Sequence, residues 1–317
     1  MDNVQAVIPD GQVPMYFLSE VEHKLLIHKL LSTAREVQVS PQLRGWNWYQ
    51  PPLKPYHDTR LPMYSVVSKF CPTDRDIYLS HVERSKAPVN FRMVLGKIVH
   101  GVVSDCLLDY LRQRDVRFDE WWNNVRWDEI PYDPGTLRKP AEASWNYMER
   151  CLKARYSEFS AAQPYASEQD RLASTAPFLV EHKISGELLG LSGLLSLDCY
   201  DYLRGIMFDL TVDSRPKEWH RLAPVGYALV FESVHEVPID VCGVVYVSFL
   251  EEKLSVRKDL FFANDELRSW WIQERDRKLE IVAEGRDPGK PSRSECEASC
   301  IQCSTCWGES PSRDVYL

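Results

Sequence analysis

The sequence predicts an α/β fold: one core of strands and helices, extended by a helical N-terminal part and a cysteine-bearing tail. Three observations carry that expectation. Between residues 178 and 250 the chain turns to short runs rich in β-branched and aromatic residues; helical periodicity lies on both sides of them; and Cys296, Cys300, Cys303 and Cys306 crowd into eleven residues beyond the last helical segment. A chain of 317 residues, 44% hydrophobic and 26% charged, can bury a substantial core and has the composition of a soluble globular protein. Its first twenty residues lack a basic start followed by an apolar run, and no stretch reaches the ~18–20 apolar residues of a membrane span. A cytoplasmic protein without membrane contact is expected, and nine cysteines in that compartment favour metal ligation over disulfides.

Taken in order, residues 18–37 carry helical periodicity and precede a loop rich in proline and aromatics around Trp46, Trp48, Tyr49, Pro51 and Pro52. A short helix is predicted over 65–82, holding Cys71. Residues 91–113 form an amphipathic helix, with apolar positions at 94, 98, 99, 102, 103, 106, 107, 110 and 111. His100 lies on its polar side, one turn after Gly96, whose missing Cβ is expected to leave the imidazole uncrowded. Residues 114–175 read as a helical insert, clearest at 141–162, punctuated by prolines. Strands are predicted at 178–184, 194–200 and 206–212, the last two as a hairpin about the turn 201–205. A helix follows at about 217–234, interrupted near Pro224, then a strand at 241–250. Asn264 caps a long helix towards Glu284 that Gly285 and Pro288 close. Three units result: a helical region 1–90, a core 91–290 with its insert at about 114–175, and a cysteine tail 291–317.

Net charge is −8, yet residues 54–100 hold eight Lys/Arg against four acids, a basic stretch able to meet phosphate or simply to face solvent. Asp198 ends a mostly apolar strand, where a carboxylate is costly unless paired or metal-bound. Asp209 shares a strand face with Thr211. His100 with these two acids makes a set of oxygen and nitrogen ligands for a divalent cation. The tail thiols read as a metal or iron–sulfur site, with Cys71 as a distant partner that would clasp the two ends of the chain; a zinc site built from tail cysteines is the alternative. Cys106, Cys151, Cys199 and Cys242 fall in predicted helices or strands and are expected in the core.

The order of these pieces resembles the RecB-like branch of the PD-(D/E)XK nucleases, a restriction-endonuclease-like mixed sheet flanked by helices. The matching residues are Gly96-x-x-x-His100, Asp198, Asp209-Leu210-Thr211, and Tyr227 in Val225-Gly226-Tyr227-Ala228-Leu229. More narrowly, the chain is similar to the CRISPR-associated RecB-like iron–sulfur exonucleases of type I-A adaptation modules. Arg44-Gly45-Trp46-Asn47-Trp48, Pro51-Pro52, Cys71 through Leu79, Gly190-Leu191-Ser192, Tyr227-Ala228-Leu229 and Asp287-Pro288-Gly289 carry this likeness from about Met15 to Trp307. The resemblance implies Mg²⁺ or Mn²⁺ on His100, Asp198 and Asp209, and substrate positioning by Tyr227. It also implies a [4Fe–4S] cluster on Cys71, Cys296, Cys300 and Cys306, with Cys303 surplus. The implied substrate is the single-stranded ends of captured foreign DNA; the implied partners are the CRISPR integrase and other adaptation proteins.

One departure stands out. The family's acid-x-Lys is here Asp209-Leu210-Thr211, and threonine cannot supply the positive charge that lysine brings to a developing phosphorane. Lys183, which alternation sets beside Glu181, and Lys217 are the candidates to replace it, with Thr211 orienting water. Weakened activity without that charge, and a catalytically silent subunit that holds DNA ends beside the integrase, are the other two outcomes. Trp46, Trp48 and Tyr49 are expected either to stack unpaired bases or to fill core.

Overall fold

The computed structural model describes residues 15–250, 253–296, 300 and 302–308. Residues 1–14, part of the stretch searched for a signal segment, and 309–317, the end of the tail, lie outside the described residues. Ser19 opens the first helix with a capping box, its hydroxyl accepting from Glu22 N while the Glu22 carboxylate takes Ser19 N–H. Helix α1 (Glu20–Leu25) runs through a π-helical stretch, Leu26–Leu30, into α2 (Leu31–Val37).

The single helix expected over 65–82 is instead two, α3 (Met63–Val67) and α4 (Arg75–His81), with Cys71 in the turn between them. Pro72 and the left-handed Asp74 (φ 54°) break the helical run there. Helix α5 (Phe91–Leu111) starts where the Asn90 side chain accepts Met93 N–H at 2.8 Å. The insert supplies α6 (Phe118–Asn123), α7 (Pro134–Ala162) and α8 (Glu168–Thr175). Pro134 sits in the first turn of α7, where its missing N–H costs nothing, and α7 continues through Pro140.

The sheet has five strands in sequence order: β1 (Phe178–Ile184), β2 (Leu195–Asp201), β3 (Ile206–Val212), β4 (Val241–Leu250) and β5 (Lys253–Phe262). The first three are antiparallel. Helix α9 (Leu222–His235) then crosses over, so that β4 lies parallel to β3, and β5 returns antiparallel. Strand β5 was absent from the sequence reading. Lys253, Arg257, Lys258 and Asp259 gave it the polarity of a loop, which is how an edge strand resists pairing with other chains. Helix α10 (Asp265–Glu284) begins on the Asn264 cap and ends at left-handed Gly285 (φ 61°), as the sequence led one to expect.

Each sheet face carries its own core. Val180, Cys199, Phe208, Leu210 and Val245 pack with α5, α7 and the segment Met15–Leu18. Ile184, Leu197, Met207, Val244 and Tyr246 pack with α9 and α10. Among the described residues no helix is long and apolar enough to cross a membrane.

Candidate metal centre

The alternation of β1 and β2 breaks at one place. Val180 and Cys199 face the α5 core, whereas Ile184 and Leu197 face the α9 core, so both strands change sides between them. Glu181 is at that break with φ 49°, a left-handed conformation that a non-glycine residue rarely holds without a local reason. Strand β2 also parts from β3 here: their pairing runs from Asp201↔Ile206 to Cys199↔Phe208, and Asp198 stands at the opening of the fork.

His100 reaches this fork from α5. Its Nε2 lies 2.8 Å from Leu210 O, and a carbonyl only accepts, so Nε2 carries the proton and Nδ1 presents a lone pair. That lone pair faces Asp198 Oδ2 at 3.5 Å. The same carboxylate oxygen accepts Leu210 N–H at 2.8 Å. One residue of β3 therefore aligns both groups through its main chain. Ligand atoms of His100, Glu181 and Asp198 all lie within 4.8 Å of one another. Two acceptors facing each other repel until a proton or a cation sits between them, so the donor set fits a hard or borderline divalent cation. A ring N–H held by a backbone carbonyl is also the usual support of a metal-bound histidine.

Asp209 lies beyond that trio. It follows Phe208 and precedes Leu210, both in the α5 core, so alternation turns it to the α9 side with Thr211, whose hydroxyl donates to Asp209 Oδ2 at 3.3 Å. Burial pushes the Asp209 carboxyl well above the ordinary range, and the charge of Asp198 pushes it further. Burial raises Asp198 too, with Glu181 adding to the rise; the Leu210 N–H opposes it, as does His100 whenever its ring is protonated. Tyr227, from α9, and Tyr16 both have phenols raised first by burial and then by the charges of Asp198, Asp209 and Glu181. Gly226 seats Tyr227: a Cβ at 226 would stand 2.2 Å from Trp271 Nε1 and 2.7 Å from Met63 Sδ, so only glycine lets α9 settle there. The expectation for Gly96 needs correction, because a Cβ there would meet nothing within 4 Å and glycine is not required to make room for His100.

The two candidate lysines part company. Lys183 Nζ is 2.7 Å from Ser196 Oγ and 3.5 Å from Glu181 Oε2, with its side chain 58% exposed at the rim of the pocket. Lys217 instead sets its ammonium over the rings of Phe70 and Trp219. Sequence reasoning named Glu181 only as a neighbour of Lys183. What places it is the β1–β2 register, in which Val180 pairs Cys199 and His182 pairs Leu197, bringing Glu181 across from Asp198. Nothing in the sequence near Tyr16 announced its position. Trp48 and Tyr49 are exposed and meet edge to face at 5.9 Å, while Trp46 lies under the Arg44 guanidinium.

At the other end of α10 the cysteines gather. The turn carrying Cys71 is tied to residues 287–289 by Thr73 Oγ1 donating to Gly289 O at 2.8 Å and by Arg75 on both Asp287 oxygens. Burial pushes the Cys300 thiol up to about 12, and the neighbouring Cys296, Asp76 and Cys71 add to that rise. Cys296 is likewise raised, by burial and then by Cys303, to which it is hydrogen-bonded, with Cys71 contributing. Cys306 Sγ instead accepts from Arg75 at 3.3 Å, and Cys303 Sγ from Arg293 at 3.2 Å. Cys71 Sγ itself lies 3.6 Å from Thr73 Oγ1. Cys303, expected to be surplus, is hydrogen-bonded with Cys296, while Cys306 faces an arginine. Cys106, Cys199 and Cys242 are buried among apolar side chains and Cys151 packs against them, as expected.

The fold and the pocket together define a mixed α/β protein whose sheet forks around an acid-and-histidine centre. Residues 15–309 match the family described as CRISPR-associated exonuclease Csa1, and the chain belongs to that family. It is 25% identical over 275 residues to a protein of Saccharolobus solfataricus with that name, covering 84% of this chain and 92% of the relative. A Thermoproteus tenax protein of the same name is 26% identical over 291 residues, covering 91% of this chain and 99% of the relative.

Proposed function

We propose that this chain is a metal-dependent DNA exonuclease of restriction-endonuclease-like, RecB-like PD-(D/E)XK type, trimming single-stranded ends of captured foreign DNA during CRISPR spacer acquisition. The observation that carries the reading is the trio of His100, Glu181 and Asp198, whose ligand atoms lie within 4.8 Å of one another. Asp209, beyond the trio on the α9 side, would join it as a further ligand. When bound, Mg²⁺ or Mn²⁺ supplies Lewis-acid polarisation of a phosphate oxygen and a lowered pKa for water. The chain's own residues do the rest. Leu210 fixes the tautomer of His100 and the orientation of Asp198 through hydrogen bonds of 2.8 Å each. Tyr227 stands beside the acids to position substrate. Lys183, bonded to Ser196 and facing Glu181, would stand in for the family lysine, and Thr211 can hold a water but not stabilise charge.

Cys71, Cys296 and Cys300, with Cys303 or Cys306, would hold a [4Fe–4S] cluster whose role is to fasten the tail to the α3–α4 turn. Anaerobic purification followed by iron and sulfide analysis separates it from zinc. Partners in this reading are the CRISPR integrase and other adaptation proteins, in the cytoplasm. A second reading rests on Thr211: a catalytically silent subunit that holds DNA ends. Cleavage of end-labelled single-stranded DNA with Mn²⁺, beside an Asp198→Ala control, decides between them. Cleavage that disappears in the variant establishes the exonuclease, and none from cluster-loaded protein leaves the holding role.

A further inference from the structure

Lys217 does not enter the acid pocket, and what it joins instead is informative. Phe70 and Trp219 meet edge to face with centroids 5.3 Å apart, and Lys217 Nζ lies 5.5 Å from the centre of each ring. All three side chains are half-buried, so the assembly sits at the surface rather than in a core. It is continuous with the candidate metal centre. Tyr246 pairs with Thr211 across β3 and β4; the His220 ring is 5.6 Å from Tyr246; and Trp219 is 4.3 Å from His220. A row of rings therefore leads from the strand position where the family carries its lysine, through buried Tyr246 and His220, to a half-buried aromatic pair with a cation over it.

We infer that Phe70, Trp219 and Lys217 form a binding subsite for single-stranded DNA, with a nucleobase stacked on the aromatic pair and a backbone phosphate on Lys217. Base faces are open only in single strands or frayed ends, and stacking of this kind tolerates any base. An ammonium beside the rings matches the alternation of base and phosphate along a strand. The inference rests on the nuclease-fold reading for its substrate class and does not require cleavage.

The test is the affinity of the full-length protein for a fluorescent thymidine 15-mer in Ca²⁺, against a 15-mer of abasic sugar-phosphate. Trp219→Ala and Phe70→Ala should each weaken thymidine binding roughly fivefold or more while leaving the abasic probe unchanged. Trp219→Phe should recover most of the loss. Lys217→Ala should lower the salt dependence on both probes by about one phosphate contact. Because Phe70 adjoins Cys71, a Phe70→Ala protein that loses iron is set aside and Trp219→Ala carries the result. Equal binding of both probes by wild type and Trp219→Ala would overturn the subsite, as would equal weakening on both probes. Absence of cleavage in Mn²⁺ would count against the exonuclease alone, since these affinities are read without it.

Discussion

Glu232, on α9, and Asp209, on the strand that α9 covers, are both carboxylates turned to the interior, the first buried and the second half-buried, and their surroundings differ in kind. Glu232 is fully enclosed. It accepts Arg44 Nη1 at 2.9 Å, Arg268 Nη1 and Nη2 at 2.8 and 2.9 Å, Gly45 N at 2.8 Å and Ile239 N at 3.0 Å. Asp209 has the Thr211 hydroxyl at 3.3 Å and an acid, Asp198, near enough to raise it. Buried charge is tolerated when paired and saturated with donors, and is destabilising otherwise. The first arrangement cements the 44–47 turn and α10 to α9. The second carries little compensation, and that difference in surroundings separates the two acids where residue type does not.

Glu232→Ala, which strands two arginines, should cost on the order of 3–5 kcal/mol in denaturant unfolding. A loss below about 1 kcal/mol would put Glu232 in the same class as Asp209. Next, Thr211→Lys should raise Mn²⁺-dependent cleavage of single-stranded DNA by about 10²–10³-fold, the scale of one transition-state donor; no gain would mean that Lys183 already serves. Glu181→Gln should weaken Mn²⁺ binding by roughly 10–100-fold, read by calorimetry, with the unfolding midpoint of the metal-free protein unchanged or higher. The smallest effect belongs to Asp209→Asn, which should stabilise the metal-free protein at neutral pH by about 1 kcal/mol. The sign follows from the raised carboxyl. Folded protein holds this proton more tightly than unfolded, so the contribution favours folding at low pH and is lost as pH rises through the folded-state value. Unfolding midpoints of wild type should therefore fall relative to the Asn variant from acid to neutral pH.

Much of the core was readable because burial on one or two faces imposes periodicity. Strands 178–184, 206–212 and 241–250 and the helix from Asn264 to Gly285 follow directly from it. Strand β5 was not readable, since an edge strand rich in Lys, Arg and Asp lacks that imprint. At the site, His100 and Asp198 were legible from type and order. Glu181 depended on a register that a sequence does not state, and on a break in alternation that shifts a residue between faces. Tyr16 depended on where an N-terminal segment tucks against the sheet, a contact of long sequence separation with no local signal. The cysteine spacing pointed to a clasp, but which thiol faces which partner followed from Arg75 and Arg293, whose reach only three dimensions reveal.

Leu210 has a consequence for how such a protein can change. Because His100 and Asp198 are aligned on its carbonyl and its N–H, the ligands are referenced to the course of the strand and not to the side chains along it. Substitutions at 211 can thus accumulate without scattering His100 and Asp198, while an insertion or deletion in β3 would misplace both together. Reactivity and ligand geometry become separately inheritable, so a lineage can fall silent by one replacement and return by another.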